Sequence, residues 1–222
     1  MLPTRSIGLA AKMVPIFLLV AIGHLSYSAD TPAKMTHLIA QMDGTGIAEG
    51  SFAAKPKTFW RASNKYCRID EEPDPENGIH GRMIINEPDA WMVNLADKSA
   101  QHIVDPGPTF NCKLPIFALG EKMAKSKIGE LEFGHEAEFF RANGAKPIDG
   151  PKLSYKTNAY ELEIEDFKLV LVERAENHIP AMIGLLQGDK AYKVTYQLWE
   201  DQVPFDPEIF AKPVGVSVTE RK

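Results

Sequence analysis

Cysteine is scarce. The 222 residues hold two, Cys67 and Cys112, and neither forms a CxxC pair with a histidine nearby, which removes the common dithiol-redox and zinc motifs. The histidines offer no metal motif either. His37, His80, His102, His135 and His178 include no pair at i, i+4, and His135-Glu136 opens like a zincin helix but has Phe139 where the second histidine belongs. No GxSxG elbow presents a serine nucleophile, and neither GxGxxG nor GxxxxGK[ST] occurs, so nothing points to nucleotide binding. Positive charge is also short, with 25 Lys and Arg against 30 Asp and Glu. That balance disfavours nucleic acid and an anionic membrane surface as partners. The chain is therefore expected not to be an enzyme and to need no cofactor and no metal. A hydrolase with a strand-based metal site at His80 and His102 is the one catalytic alternative.

Long apolar runs are confined to the start. Arg5 and Lys12 accompany an apolar run from Met13 to Leu25, and Ser26-Tyr27-Ser28 puts small residues where a signal peptidase reads. The run is shorter than the roughly 20 residues that span a bilayer, and it contains Pro15 and His24. Residues 1–28 thus read as a signal peptide cleaved between Ser28 and Ala29, leaving residues 29–222 as one domain. Cleavage removes Arg5 and Lys12 and no acid, so 23 basic residues face 30 acidic ones in the exported chain. In an oxidising compartment Cys67 and Cys112 are expected to bond, provided the fold brings their Cα atoms within about 7 Å.

Most of the remainder alternates with period two. Tyr160 to Glu165 sets Tyr160, Leu162 and Ile164 against Glu161, Glu163 and Glu165, an antiparallel strand with one wet face. Phe167 to Glu173 reads as a strand buried on both faces. Pro180 to Leu186 and Tyr192 to Leu198 flank the polar connection Gln187-Gly188-Asp189-Lys190, so the last four strands form a meander. Upstream, Phe59–Ser63, Tyr66–Asp70, Ile79–Asn86, Trp91–Leu95 and Ala100–Asp105 are strand-like, and Glu71 to Gly78 is a solvated loop. Two helices are expected between the halves, Leu114–Lys125 and Phe133–Asn143, the second stopping at Gly144. The Pro- and Gly-containing stretch from Ala145 to Lys152 reads as a link. Thr31 to Met42 fits a helix or a first strand equally well.

Aromatics and methionines supply the remaining signal. Trp60, Trp91, Trp199, Phe59, Tyr66, Tyr192 and Tyr196 lie on or beside expected strands, and Met35, Met42, Met83, Met92, Met123 and Met182 run through both halves. Most of them suit an ordinary core. A sheet covered by few helices can also leave apolar surface around a cavity, where methionine adapts to ligands of varied shape.

Two stretches resemble a known family. Glu49-Gly50 followed by Lys55-Pro56-Lys57-Thr58-Phe59-Trp60, and the run Val203-Pro204-Phe205-Asp206-Pro207-Glu208-Ile209-Phe210 with Lys212-Pro213-Val214-Gly215-Val216, are similar to the periplasmic lipoprotein carrier (LolA/LolB-like) superfamily. The resemblance implies a periplasmic protein with an unclosed antiparallel barrel whose concave face, lidded by helices, encloses a cavity for acyl chains. It places Lys55 where the carriers have an arginine, a change that keeps the charge and loses the planar fork, and Phe59 and Trp60 where apolar strand residues follow. The Asp-Gly turn expected before the aromatic strand is replaced by Asn86-Glu87-Pro88-Asp89, and the cysteine pair is a further departure. The fold expected is α+β, a curved antiparallel half-barrel with a few covering helices. The expected function is binding or carriage of a lipid or an acylated protein, with Lys55, Phe59, Trp60, Met83, Trp91 and Tyr196 at the ligand. The alternative is a non-catalytic envelope module with a filled core and a protein partner at an edge strand.

Overall fold

The computed structural model describes residues 31–104, 114, 116–117 and 125–221. Pro32–Lys222 forms one compact unit. The expected signal peptide and most of the expected Leu114–Lys125 helix lie outside the described residues.

Twelve strands make a single sheet: β1 (Lys34–Gly44), β2 (Lys57–Ala62), β3 (Tyr66–Glu71), β4 (Gly81–Asn86), β5 (Asp89–Asn94), β6 (Ser99–Val104), β7 (Lys146–Ile148), β8 (Thr157–Ile164), β9 (Phe167–Arg174), β10 (Pro180–Gln187), β11 (Lys190–Pro204) and β12 (Ser217–Arg221). Their order is β12-β6-β5-β4-β3-β2-β1-β11-β10-β9-β8-β7, so the sheet is left unclosed, with β12 and β7 at its two edges. Every pairing is antiparallel except β12 with β6. The expected curved, unclosed sheet with few helices is the fold, with one parallel edge pair added. The described residues include an α-helix, α1 (Glu136–Ala142), and 3₁₀ turns at Phe52–Ala54, Lys127–Glu130 and Pro207–Phe210.

The open question over Thr31 to Met42 is resolved as strand. β1 is hydrogen-bonded by β2 on one side and β11 on the other, and two ladders satisfy backbone groups that a helix would have bonded internally. β9 is buried on both faces as expected, with Phe167, Leu169 and Leu171 on one and Val172 on the other. The acidic face of β8 is solvated, and Glu161 pairs with Lys168 Nζ at 2.9 Å. The second helix starts three residues later than expected. Gly134 adopts φ +87°, and the following turn is closed by the Glu136 carboxylate, which accepts from the Gly134 N–H at 3.1 Å. The helix stops at Gly144, whose φ of +73° suits a glycine terminator.

The two faces of the sheet carry different cores. One face, covered by α1 and the Lys127–Glu130 turn, buries Leu38, Phe59, Ile128, Leu131, Phe133, Phe140, Leu169, Ile183 and Tyr196 in a continuous cluster. The opposite face is covered by the C-terminal run. Phe210 packs there with Met35 and Ala62, while Val216 and Val218 pack on Ile84, Trp91, Val93 and Ala100. Arg68 helps to fasten this run, donating from Nη1 to the Ile209 carbonyl at 3.1 Å while its guanidinium sits over the Trp60 ring.

Candidate functional site

Strand register sets out the site. Across one face, Leu38, Phe59, Ile69, Met83, Met92 and Gln101 stand opposite one another on six successive strands. Under α1 the row is buried. Farther along the sheet it emerges, and Met92 is 46% exposed. Between these limits lies a cavity of about 400 Å³. Ala40, Met42, Phe59, Ile69, Met83 and Val194 form its sheet wall, while Leu114, Ile116, Phe117 and Phe133 form the facing wall. Its polar side chains are Lys55, Lys57 and Glu71, while the Gln41 side chain turns to the opposite face and accepts from Gln197 Nε2 at 2.8 Å. A broader, more polar hollow of about 630 Å³ continues past Ile69, Glu71 and Met83 toward Gln101 and Thr219.

Phe133 is the fixed point of the facing wall. Its ring lies 4.2 Å from that of Phe59, and its carbonyl accepts from Arg61 Nη1 at 3.1 Å. Arg61 also pairs with Glu132 at 2.8 Å, tying this segment to β2. One layer deeper, the Tyr196 hydroxyl donates to the Glu136 carboxylate. Burial drives the Glu136 pKa up to about 7, against the pull of the Tyr196 and Gly134 hydrogen bonds and the Arg61 charge. Burial also carries the Tyr196 phenol well above its ordinary value, with the Glu136 carboxylate adding to the effect. At acidic pH the pair is thus a neutral, hydrogen-bonded strut holding α1 to β11.

The expected binding residues divide into two groups. Lys55, Phe59 and Met83 line the cavity. Trp60 does not, because alternation turns it to the opposite face, where it stacks on His37 with centroids 4.9 Å apart. Trp91 faces the same way, packed under Val218 and stacked on His102 at 5.1 Å. Tyr196 is on the cavity side but buried behind Phe133, engaged with Glu136. Sequence reading missed Lys57, Ile69, Phe133 and Val194. The parity of Phe59 within β2 points to Lys57, and the apolar alternation of β11 points to Val194.

His80 and His102 are not brought together. His80 accepts at its carbonyl from Leu95 N–H, whereas His102 stands opposite Trp91, an offset of four residues or roughly 13 Å along β5. His102 instead bridges Asp89 Oδ1 at 2.8 Å and Glu220 Oε2 at 2.7 Å, contacts that raise its pKa and tie β12 to the sheet. Among the described residues no group of three or more His, Cys, Asp or Glu could hold a metal ion. Cys67 is fully buried, and no cysteine among the described residues is free. Cys112 lies outside the described residues, so the 67–112 disulfide stays an expectation.

No family model matches the chain, and no curated protein does. Solved structures do. An uncharacterised conserved protein from Thermus thermophilus is similar at TM-score 0.50 and 7% identity, over 85% of this chain and 91% of that one. LolA superfamily structures are among the neighbours. One from Nitrosomonas europaea matches at TM-score 0.32 and 11% identity, over 82% and 90% of the two chains. A putative outer membrane lipoprotein-sorting protein domain from Vibrio parahaemolyticus matches at TM-score 0.37 and 12% identity, over 82% and 91%. At 7% identity the likeness to the Thermus protein is one of fold alone.

Proposed function

We propose that the chain is an exported, periplasmic binding or carrier protein that holds a hydrophobic ligand, the acyl chain of a lipid or an acylated protein, without covalent chemistry. The observation that carries this reading is the apolar cavity between β1, β2, β3, β4 and the Phe133 wall. Its volume suits a ligand site, and its apolar walls hold a chain by removing apolar area from water. The cavity supports this reading over the filled-core envelope module.

Met83→Asp tests the placement. Met83 is partly exposed at the cavity wall, so a carboxylate there can remain hydrated in the empty protein but must be desolvated by an entering chain. The variant is expected to keep its fold by circular dichroism and to lose displacement of a bound fluorescent apolar probe by dodecanol. Unchanged displacement would place the ligand elsewhere.

A further inference from the structure

The polar groups of the cavity are not scattered over its walls. Lys55 just before β2, Lys57 at its start and Glu71 at the end of β3 lie together. Register puts Lys57 opposite both Ala40 and Glu71, while Phe59 stands opposite Ile69 and Ile69 opposite Met83. Two residues on one strand face separate these levels, roughly 7 Å. The cavity thus has a polar end and an apolar end, which is the shape of an amphiphile and not of a plain hydrocarbon.

The charges at the polar end fix the sign. Lys55 Nζ donates to the Pro73 carbonyl at 2.8 Å, a neutral acceptor, and its charge also interacts with Asp74. Lys57 Nζ is 3.9 Å from Glu71 Oε1 and 3.5 Å from the Phe52 carbonyl, both long. On the wall, then, two ammonium groups face one carboxylate. Asp74, the other acid that Lys55 feels, keeps its charge under a hydrogen bond from Asn77 Nδ2 at 2.9 Å but does not line the cavity. Lys57 in particular has donor capacity to spare, since an ammonium carries three donors.

Resting on the reading of the cavity as a ligand site, we infer that its ligand is a single-chain amphiphile with an anionic head group, carboxylate or phosphate, received by Lys57 and Lys55 at the Glu71 end. A methylene fills nearly the volume of a water molecule, about 30 Å³, so about 400 Å³ accepts roughly a dozen methylenes and therefore one chain.

The test is competition titration of the mature protein with dodecanoate, dodecyl phosphate and dodecanol, the first two distinguishing the sources of an anion. At least one anion is expected to bind roughly tenfold or more tightly than the alcohol, as charge-assisted hydrogen bonds allow. Lys55→Met with Lys57→Met should bring the anion down to the alcohol's affinity and leave the alcohol unchanged, while Lys57→Arg retains the preference. Anions binding no more tightly than dodecanol, or a double variant that weakens all three equally, would overturn the head-group assignment and leave the cavity reading intact. Failure of all three to bind would overturn both.

Discussion

If an alkyl chain lies along the row from Phe133 toward Met83, affinity should climb with chain length and then stop. Burying one methylene contributes about 0.8 kcal/mol, close to a fourfold change in Kd. The cavity of about 400 Å³ takes roughly a dozen methylenes at about 30 Å³ each. Neutral alcohols from hexanol to hexadecanol separate this effect from any head-group charge. Up to about dodecanol each methylene should tighten binding by as much as fourfold, less whatever chain ordering costs. Beyond it the gain should fall away as carbons emerge toward the hollow beside Met92. Titration calorimetry at a fixed pH reads the slope, and an accompanying negative heat-capacity change marks apolar burial. Val194→Phe, which adds volume to the sheet wall, should move the break to shorter chains. Affinity that does not depend on length, or that climbs through hexadecanol without a break, would refute the reasoning.

Other consequences concern the scaffold. Trp91→Phe should lower the melting temperature, through loss of packing against Ile84 and Val218 worth about 1–3 kcal/mol, and leave alcohol binding unchanged; weakened binding at an intact fold would contradict its placement on the opposite face. Glu136 has a pKa of about 7 in the fold against 4.5 ordinarily, so the folded state keeps a proton that the unfolded chain has released. Stability should fall as pH rises from about 4.5 to 7, by at most about 1.4 kcal/mol per unit, and level off above. Glu136→Gln should flatten that slope, and comparison with the parent isolates Glu136 from His102, whose raised pKa acts in the same direction; an identical slope in both proteins would count against the buried neutral acid. Reduction of the exported chain should cost about 2–4 kcal/mol of unfolding free energy if Cys67 and Cys112 are bonded, whereas thiol labelling of the unreduced, denatured chain would show them free.

The strands were legible because their burial obeys a short period. Tyr192, Val194 and Tyr196 alternate cleanly, and β11 contains the expected Tyr192–Leu198 strand but runs on to Pro204. The edges were not. β7 is three exposed residues with a central proline, and β12 is Ser-Val-Thr-Glu-Arg with little apolar signal; both are held by one neighbour, which local composition does not encode. The Val203–Val216 run drew attention for its family resemblance, yet it mostly covers the face opposite the cavity, through Phe210 and Val216. That cover is where Trp60 and Trp91 stand, away from the cavity that Lys55, Phe59 and Met83 line. Their size and hydrophobicity are visible in the sequence, but which face a helix lids and which the C-terminal run lids is not. Parity could have separated Phe59 from Trp60, since successive side chains of a strand point to opposite faces of the sheet. The Glu136–Tyr196 strut joins residues 60 positions apart, and no local pattern announces such a pair.

The central claim is that the cavity is filled by an apolar cargo when the protein works. Native mass spectrometry of the mature chain purified from an exporting host, followed by organic extraction, addresses it most directly. The account predicts a bound species that leaves on organic extraction, carries one alkyl chain and is lost in Met83→Asp. A mass equal to the bare chain, from a host supplying the full range of envelope lipids, would contradict it.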